Sequence, residues 1–193
     1  MANLNAPNGF TPVMYKNGKP YTGAATRYYK DATAGVIGVG DVVIRGTNSS
    51  DPEGGPEIVK ATVGSACTGV VVAIEPIRGA LSQLHLAAAD LGYVLVADDP
   101  DLLFEVQEGT GGTALIVTQV GEHIDAITNS DADTTTGRSK SAISNAAVAT
   151  DNTFRIERLS KKAGNEVGAH ARWLVSINLS TEVNASATTK TEV

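Results

Sequence analysis

The fold is decided by residues 93–107, YVLVADDPDLLFEVQ, in which two apolar stretches flank an acidic turn. Tyr93–Ala97 is an apolar run rich in valine, and Leu102–Glu108 alternates between apolar and polar residues. Alternation with a period of two predicts a strand with one buried face. The inner face would carry Phe104 and Val106, and the outer face Glu105 and Gln107. The segment therefore predicts two β-strands joined by a turn at Asp98-Asp99-Pro100.

The composition of the whole chain extends this prediction. Val (20), Thr (20) and Ile (11) together make 51 residues against 12 Leu, and stiff β-branched side chains favour a pleated sheet. With 20 glycines to supply turns, we predict an all-β fold, a single jelly-roll-like barrel or sandwich. Further strands are predicted at Val36–Arg45, Glu57–Val63, Thr68–Ile74, Ser139–Ser144, Thr153–Leu159 and Ala171–Leu179. Short helices are possible at Ala80–Leu91 and Thr113–Val120, and the core is predicted to contain Phe104, Phe154 and Trp173.

Several classes of protein are excluded by the same sequence. A hydrophobic fraction of 42% with 19% charged residues is that of a globular protein, and 193 residues suit one domain. The lone Cys67 excludes an internal disulfide framework. No window of the sequence approaches the uninterrupted apolar length of a membrane span, and the first ten residues do not resemble a secretory signal.

Charge is distributed unevenly along the chain. The formal net charge of −6 divides into +4 over residues 1–30, −13 over residues 31–133 and +3 over residues 134–193. Because nucleic-acid affinity comes largely from neutralisation of phosphates by Lys and Arg, the acidic block argues against a nucleic-acid partner. The acidic block is explained either as a solvated face or as a surface complementary to a basic partner.

Residues 1–35 differ from the remainder of the sequence. They contain three prolines and no sustained apolar alternation, yet they hold four of the five tyrosines. We predict an extended N-terminal arm over residues 1–35, a β domain over residues 36–182 and a flexible tail over residues 183–193. The aromatic residues of the arm are either buried on its own domain or used as anchors on another chain.

The sequence offers no assembled catalytic site, cofactor site or metal site. Cys67 precedes an apolar strand, where a buried inert thiol is expected. His85, His123 and His170 are scattered, without the spacing of a metal site. Residues 129–140 begin like a calcium loop, but they have Thr134 and Lys140 where that loop needs Gly and Glu. We therefore expect no catalytic residue, no cofactor and no metal.

The order of short motifs along the chain provides a different kind of signal. NAPNGFTPV at residues 5–13, GDVV at 40–43, DDPDLLFEVQ at 98–107, FRIERL at 154–159 and WLVSIN at 173–178 are collinear. In this order they resemble a family of tailed-bacteriophage head proteins, and DDPDLLFEVQ is the most specific motif. Such proteins often carry Phe-Ser-x-Tyr-Trp where this chain has LSQLH at residues 81–85.

The resemblance implies an auxiliary capsid protein, called a cement or decoration protein, and no enzyme. It implies a virion protein on the capsid surface, made in the host cytoplasm, that binds the major capsid protein. A homotrimer at three-fold or quasi-three-fold positions is expected, with no nucleic acid and no membrane as partner. The expected capsid or subunit contacts are the arm residues Phe10, Tyr15, Lys16, Lys19, Tyr21, Arg27 and Tyr28. The alternative is a carbohydrate- or host-surface-binding β module, which would need exposed aromatic residues where Trp173 is predicted to be core.

Overall fold

A computed structural model describes residues 3–47, 49–77, 79–110, 112–127, 131–147 and 152–181. Strands dominate these residues, and one 3-10 helix, Val117–Gln119, accompanies them, so the all-β prediction is confirmed. The strands are β1 (Thr11–Tyr15), β2 (Thr26–Lys30), β3 (Val42–Arg45), β4 (Glu57–Lys60), β5 (Gly69–Ile74), β6 (Gly92–Ala97), β7 (Leu102–Gln107), β8 (His123–Ile124), β9 (Ala126–Ile127), β10 (Ala142–Ile143), β11 (Phe154–Leu159) and β12 (Arg172–Ile177).

Five of these strands close into a barrel in the order β2-β4-β3-β5-β6. Only the β2–β4 pair of the barrel is parallel, and the other pairs are antiparallel. Closure leaves no free sheet edge, and the interior is filled by buried aliphatic side chains. These include Ile37, Ile58, Val71, Leu86, Val94 and Val96.

The other large element is a five-stranded antiparallel sheet in the order β1-β7-β12-β11-β8. Phe104, Phe154 and Trp173 are fully buried on its inner face, which confirms their predicted place in the core. The ring of Phe154 stacks on Phe10, with ring centroids 4.7 Å apart. A two-stranded ladder of β9 and β10 completes the sheets, and the jelly-roll connection itself stays a prediction.

The structure differs from the predicted extended arm at two places in residues 1–35. β1 pairs with β7 at the edge of the five-stranded sheet, and β2 lies between β4 and β6 in the barrel. Prolines do not prevent this arrangement, because Pro12 lies on an edge strand next to a register shift, where a missing N–H is tolerated. Pro20, Gly18 and Gly23 fall in the connection between the two strands.

Two other expectations also differ from the structure. Ala80–Leu91 contains turns and one isolated bridge instead of a helix, and the helix predicted at Thr113–Val120 is reduced to the single 3-10 turn. On β7, Glu105 and Gln107 face away from the core as predicted but are nevertheless buried. Lys162 and Ser160 cover Glu105, and although burial acts in the opposite direction, their hydrogen bonds lower the pKa of Glu105. The tail predicted at residues 183–193 lies outside the described residues.

No helix in the described part of the chain is long and apolar enough to cross a membrane.

Candidate interaction surface

The nucleophilic and metal-ligating residues are dispersed through the structure. Cys67 is fully buried, and burial raises the pKa of its thiol to about 12, so the thiolate is strongly disfavoured. Within the described ranges, no group of three or more His, Cys, Asp or Glu side chains is arranged to hold a metal ion. The paired acids Asp98 and Asp99 hold local structure instead: Asp98 accepts from Tyr28 Oη at 3.0 Å, and Asp99 accepts from the Asp101 N–H at 2.8 Å.

A buried lysine on β2 connects the barrel to the segment 79–91. Lys30 is fully buried, and its Nζ donates to the carbonyl oxygens of Asp31, Ala88 and Asp90 at 2.9, 3.1 and 2.9 Å. Burial lowers the pKa of Lys30. These three carbonyls satisfy the ammonium group, as a buried charge requires. The lysine therefore fixes the end of the segment 79–91 to the barrel.

The segment 79–91 is held in place at its middle as well. Leu86 is fully buried and exchanges both backbone hydrogen bonds with Ile37, each 2.9 Å long. Leu84 lies directly over Gly137, where an added Cβ would come within 2.1 Å of the Leu84 carbonyl oxygen. Because Gly137 also has a φ of +68°, a side chain there is disfavoured by both backbone strain and space. The segment is a loop with a defined path.

This fixed loop presents leucine side chains to solvent. Leu81 is 76% exposed and Leu84 is 53% exposed. Opposite them lies β5, in which a register shift between Val71 and Ala73 interrupts the pairing with β6. Between loop and strand is a groove of about 430 Å³, which we call the apolar groove. It is lined mainly by Val39, Val72, Ala73, Ile74, Pro76, Leu81 and Leu84, with Gln83, Thr136 and Arg138 at its polar side.

The structure does not bring the seven predicted contact residues onto one exposed surface. Phe10 and Tyr28 are 2% and 4% exposed in the chain's own core, so these two side chains are not available to a partner. Self-burial, the alternative considered for the aromatic residues, therefore applies to both. Tyr15 and Tyr21 are half-buried against the same core, while Lys16, Lys19 and Arg27 are exposed.

Arg27 is exposed but engaged within the molecule. Its guanidinium pairs with Glu53 at 2.7 Å and Glu75 at 2.8 Å, and it stacks 3.4 Å from the ring centre of Tyr93. The hydrogen bonds from these two carboxylates raise the pKa of Arg27. A rim contact with a partner would have to compete with these three interactions.

The leucines that line the apolar groove form a pattern in the sequence, but that pattern predicts a helix. Leu81, Leu84 and Leu91 occur at helical spacing, which predicted one buried face of a helix. In the structure these residues form a loop, and the side chains of all three leucines are exposed. Leu86, which is out of phase with the other three, is buried instead.

Comparison with protein-family models and with curated proteins found no match to this chain.

Proposed function

We propose that this protein is a structural virion protein that binds the bacteriophage capsid lattice and stabilises it, as cement or decoration proteins do. The observation that carries the proposal is the apolar groove with Leu81 and Leu84 exposed beside it. An exposed apolar surface on a loop whose backbone is held in place is typical of a protein–protein contact. The motif resemblance supports the capsid as partner, and the groove lies at the segment where the resemblance departs from its aromatic pattern.

Buried charged side chains that are hydrogen-bonded within the chain also favour a structural role. Lys30 and Asp41 are fully buried and bonded within the chain, the latter by the Ser139 and Ser141 hydroxyls at 2.5 and 3.1 Å. Such satisfied buried groups stabilise a fold and make it rigid. The protein would then act by many copies of a moderate contact on a repeating lattice. It would be made in the host cytoplasm and bind the major capsid protein at the virion surface, as a trimer at three-fold or quasi-three-fold positions.

Co-sedimentation with purified empty capsid shells tests this proposal. The parent protein is expected to pellet with shells, and Leu81→Ser/Leu84→Ser is expected to pellet with markedly weaker affinity. The matched control is Leu4→Ser/Val167→Ser, which removes two exposed apolar side chains away from the groove. Sedimentation velocity of the free protein tests the trimer.

Three results would overturn the proposal. They are a parent protein that does not bind shells, a groove variant that binds as well as its control, or specific binding to a glycan panel in place of shells. The last result would favour the carbohydrate-binding alternative, although the fully buried Trp173 is not available as a stacking platform for a sugar.

A further inference from the structure

The outer face of the five-stranded sheet, the face turned away from Phe104 and Trp173, gathers positive charge. In the strand register, Leu103 lies opposite Ser176, which lies opposite Arg155. The neighbouring row consists of Glu105, Leu174 and Arg158. Both rows therefore run from buried β7 to an arginine on β11. The sheet places these two cations side by side although the chain as a whole carries a net charge of −6.

A β-bulge is the reason why both arginines share this face. Residues three apart in a regular strand point to opposite faces. The register of β11 shifts between Ile156 and Arg158, so that Arg155 pairs with Ser176 while Arg158 pairs with Leu174. Ser176 and Leu174 are two residues apart on β12 and share a face, and their partners share it too. Bulges of this kind redirect side chains, often next to functional sites.

The two arginines border a depression of about 280 Å³, which we call the basic depression. It is lined by Lys16, Leu103, Arg155, Glu157 and Arg158. Leu103 is buried and gives it an apolar floor. Lys16 approaches from the end of β1, so that three different strands, or their ends, contribute to one cavity.

The guanidinium groups of Arg155 and Arg158 form no ion pair with a carboxylate of the described residues. Arg155 Nε donates to the Gly121 carbonyl at 3.2 Å, and Arg158 Nη2 contacts Met14 Sδ at 3.0 Å. No carboxylate of the described residues lies within 4.0 Å of either group. The nearby Glu157 carboxylate accepts from Ser176 Oγ at 2.7 Å. Among the described residues, most donors of both arginines therefore have no hydrogen-bond partner and can bind a ligand.

Two arginines elsewhere in the chain, Arg27 and Arg172, show the contrast. Arg27 has two carboxylate partners, and Arg172 Nη1 lies 3.9 Å from Glu105. Lys16, the third cation of the basic depression, has a long contact of 3.9 Å to Asp101, whose side chain is highly exposed. An exposed pair at that distance is weak and is readily exchanged for a better partner.

We propose that the basic depression binds an aspartate- or glutamate-bearing segment of a partner polypeptide. The planar donors of Arg155 and Arg158 match carboxylates in bidentate geometry, and the Leu103 floor accepts the apolar part of a peptide. Nucleic acid fits less well, because its affinity comes from neutralising many phosphates and the basic depression holds three cations. If the proposed function holds, the partner segment belongs to the shell protein, and this assignment rests on that function.

A labelled-peptide titration tests the inference. The probe is a short fluorescent peptide of alternating Asp, Glu and Ser, and its control is the same peptide with Asn and Gln in place of the acids. Fluorescence anisotropy is expected to show binding of the acidic peptide only, weakened by added salt. Arg155→Gln/Arg158→Gln should lower the affinity by about tenfold or more, as expected when charge-assisted hydrogen bonds are lost.

The controls separate binding from folding. Lys140→Gln removes an exposed cation away from the basic depression and should bind as the parent does. Lys16→Gln lowers the charge of the same site without altering β11, and it should weaken binding even if the double variant proves unstable. Thermal unfolding of each variant checks that the fold is intact.

Four outcomes would overturn the inference. They are no binding of the acidic peptide, unchanged binding by both the double variant and Lys16→Gln, equal or tighter binding of an oligonucleotide of matched charge, or self-association of the parent that the double variant loses. The last outcome would assign the site to a contact between copies. A protein that binds shells but not the peptide overturns only this inference, whereas one that binds the peptide but not shells overturns only the proposed function.

Discussion

Trp173 and Glu108 form a buried pair in the core of the five-stranded sheet. Trp173 Nε1 donates to Glu108 Oε2 at 3.2 Å, and the same oxygen accepts from the Leu115 N–H at 3.1 Å. One carboxylate therefore satisfies an indole and a backbone donor that would otherwise be buried without a partner. Apolar alternation in the sequence predicted the position of Trp173. Continued one residue past β7, the same period of two places Glu108 in phase with Phe104 and Val106, but it does not indicate which buried donors the carboxylate accepts from.

Replacing Trp173 with Ala should lower the free energy of unfolding by about 3–5 kcal/mol, because it removes a fully buried indole and leaves a cavity. Urea denaturation measures this change. Val167→Ala, at a position that is 42% exposed, is the control and should change stability little. A Trp173→Ala variant as stable as the parent would show that the indole is not part of the core.

Glu108 should make stability depend on pH in a direction opposite to that of a paired surface acid. Burial raises the pKa of Glu108 in the folded protein, so the folded state holds this proton more tightly than the unfolded state does. Its contribution is therefore present at low pH and lost as the pH rises through the folded-state pKa. Glu108→Gln cannot ionise, so its stability relative to the parent should increase as the pH rises from acidic values toward neutrality.

The measurement is urea denaturation of both proteins at a series of pH values. Other carboxylates, such as Glu105 with its lowered pKa, contribute equally to both curves and cancel in the difference. A difference that does not change with pH would contradict the buried, protonation-sensitive Glu108.

The sequence predicts where β6 and β7 lie, but it does not predict which strands pair. Val94 and Val96 on β6 and Phe104 and Val106 on β7 follow a period of two, and both strands lie within about one residue of the prediction. The sequence could not show that Thr26–Lys30 would complete the barrel. This strand's pairing partners, β4 and β6, lie far along the chain, and a period-two pattern does not specify which strands pair.

The loop segment at residues 49–56 is held against the barrel by side-chain hydrogen bonds. Tyr93 Oη donates to Asp51 Oδ1 at 2.6 Å, and Asp51 also accepts from the backbone N–H groups of Glu53 and Gly55. This hydrogen bond to Asp51 raises the pKa of Tyr93 to about 12. The carboxylate thus organises the turn, and the tyrosine fixes the turn to β6.

Tyr93→Phe should loosen this loop without changing the barrel. The variant keeps the ring on which Arg27 stacks and removes only the hydroxyl that holds Asp51. Faster amide hydrogen exchange is expected at Glu53, Gly54 and Gly55, with exchange in β5 unchanged. Tyr15→Phe is the matched control, because Tyr15 lies in β1 on the other sheet. Unchanged exchange in the loop would show that the Tyr93 hydroxyl does not hold it.

Over the whole molecule, the N-terminal residues join the two sheets. β1 belongs to the five-stranded sheet, β2 belongs to the barrel, and Phe10 precedes both with its ring stacked on Phe154 of β11. The sequence indicated that aromatic residues in this region must be buried somewhere, and it left open whether on this chain or another. The structure buries Phe10, Tyr28 and Tyr29 on this chain.

Deleting residues 1–30 should therefore unfold the protein, in contrast to the expectation of an independent arm. The deletion removes one strand from each sheet, opens the barrel between β4 and β6, and takes away the buried Lys30. Unfolding would appear as loss of the near-ultraviolet circular dichroism of Trp173 and of cooperative melting. Phe10→Ala is the graded version and should cost about 3–5 kcal/mol, while Lys19→Ala at an exposed position should be nearly neutral. A deletion variant that melts cooperatively near the parent temperature would show that β1 and β2 are dispensable and would restore the arm as a separate binding element.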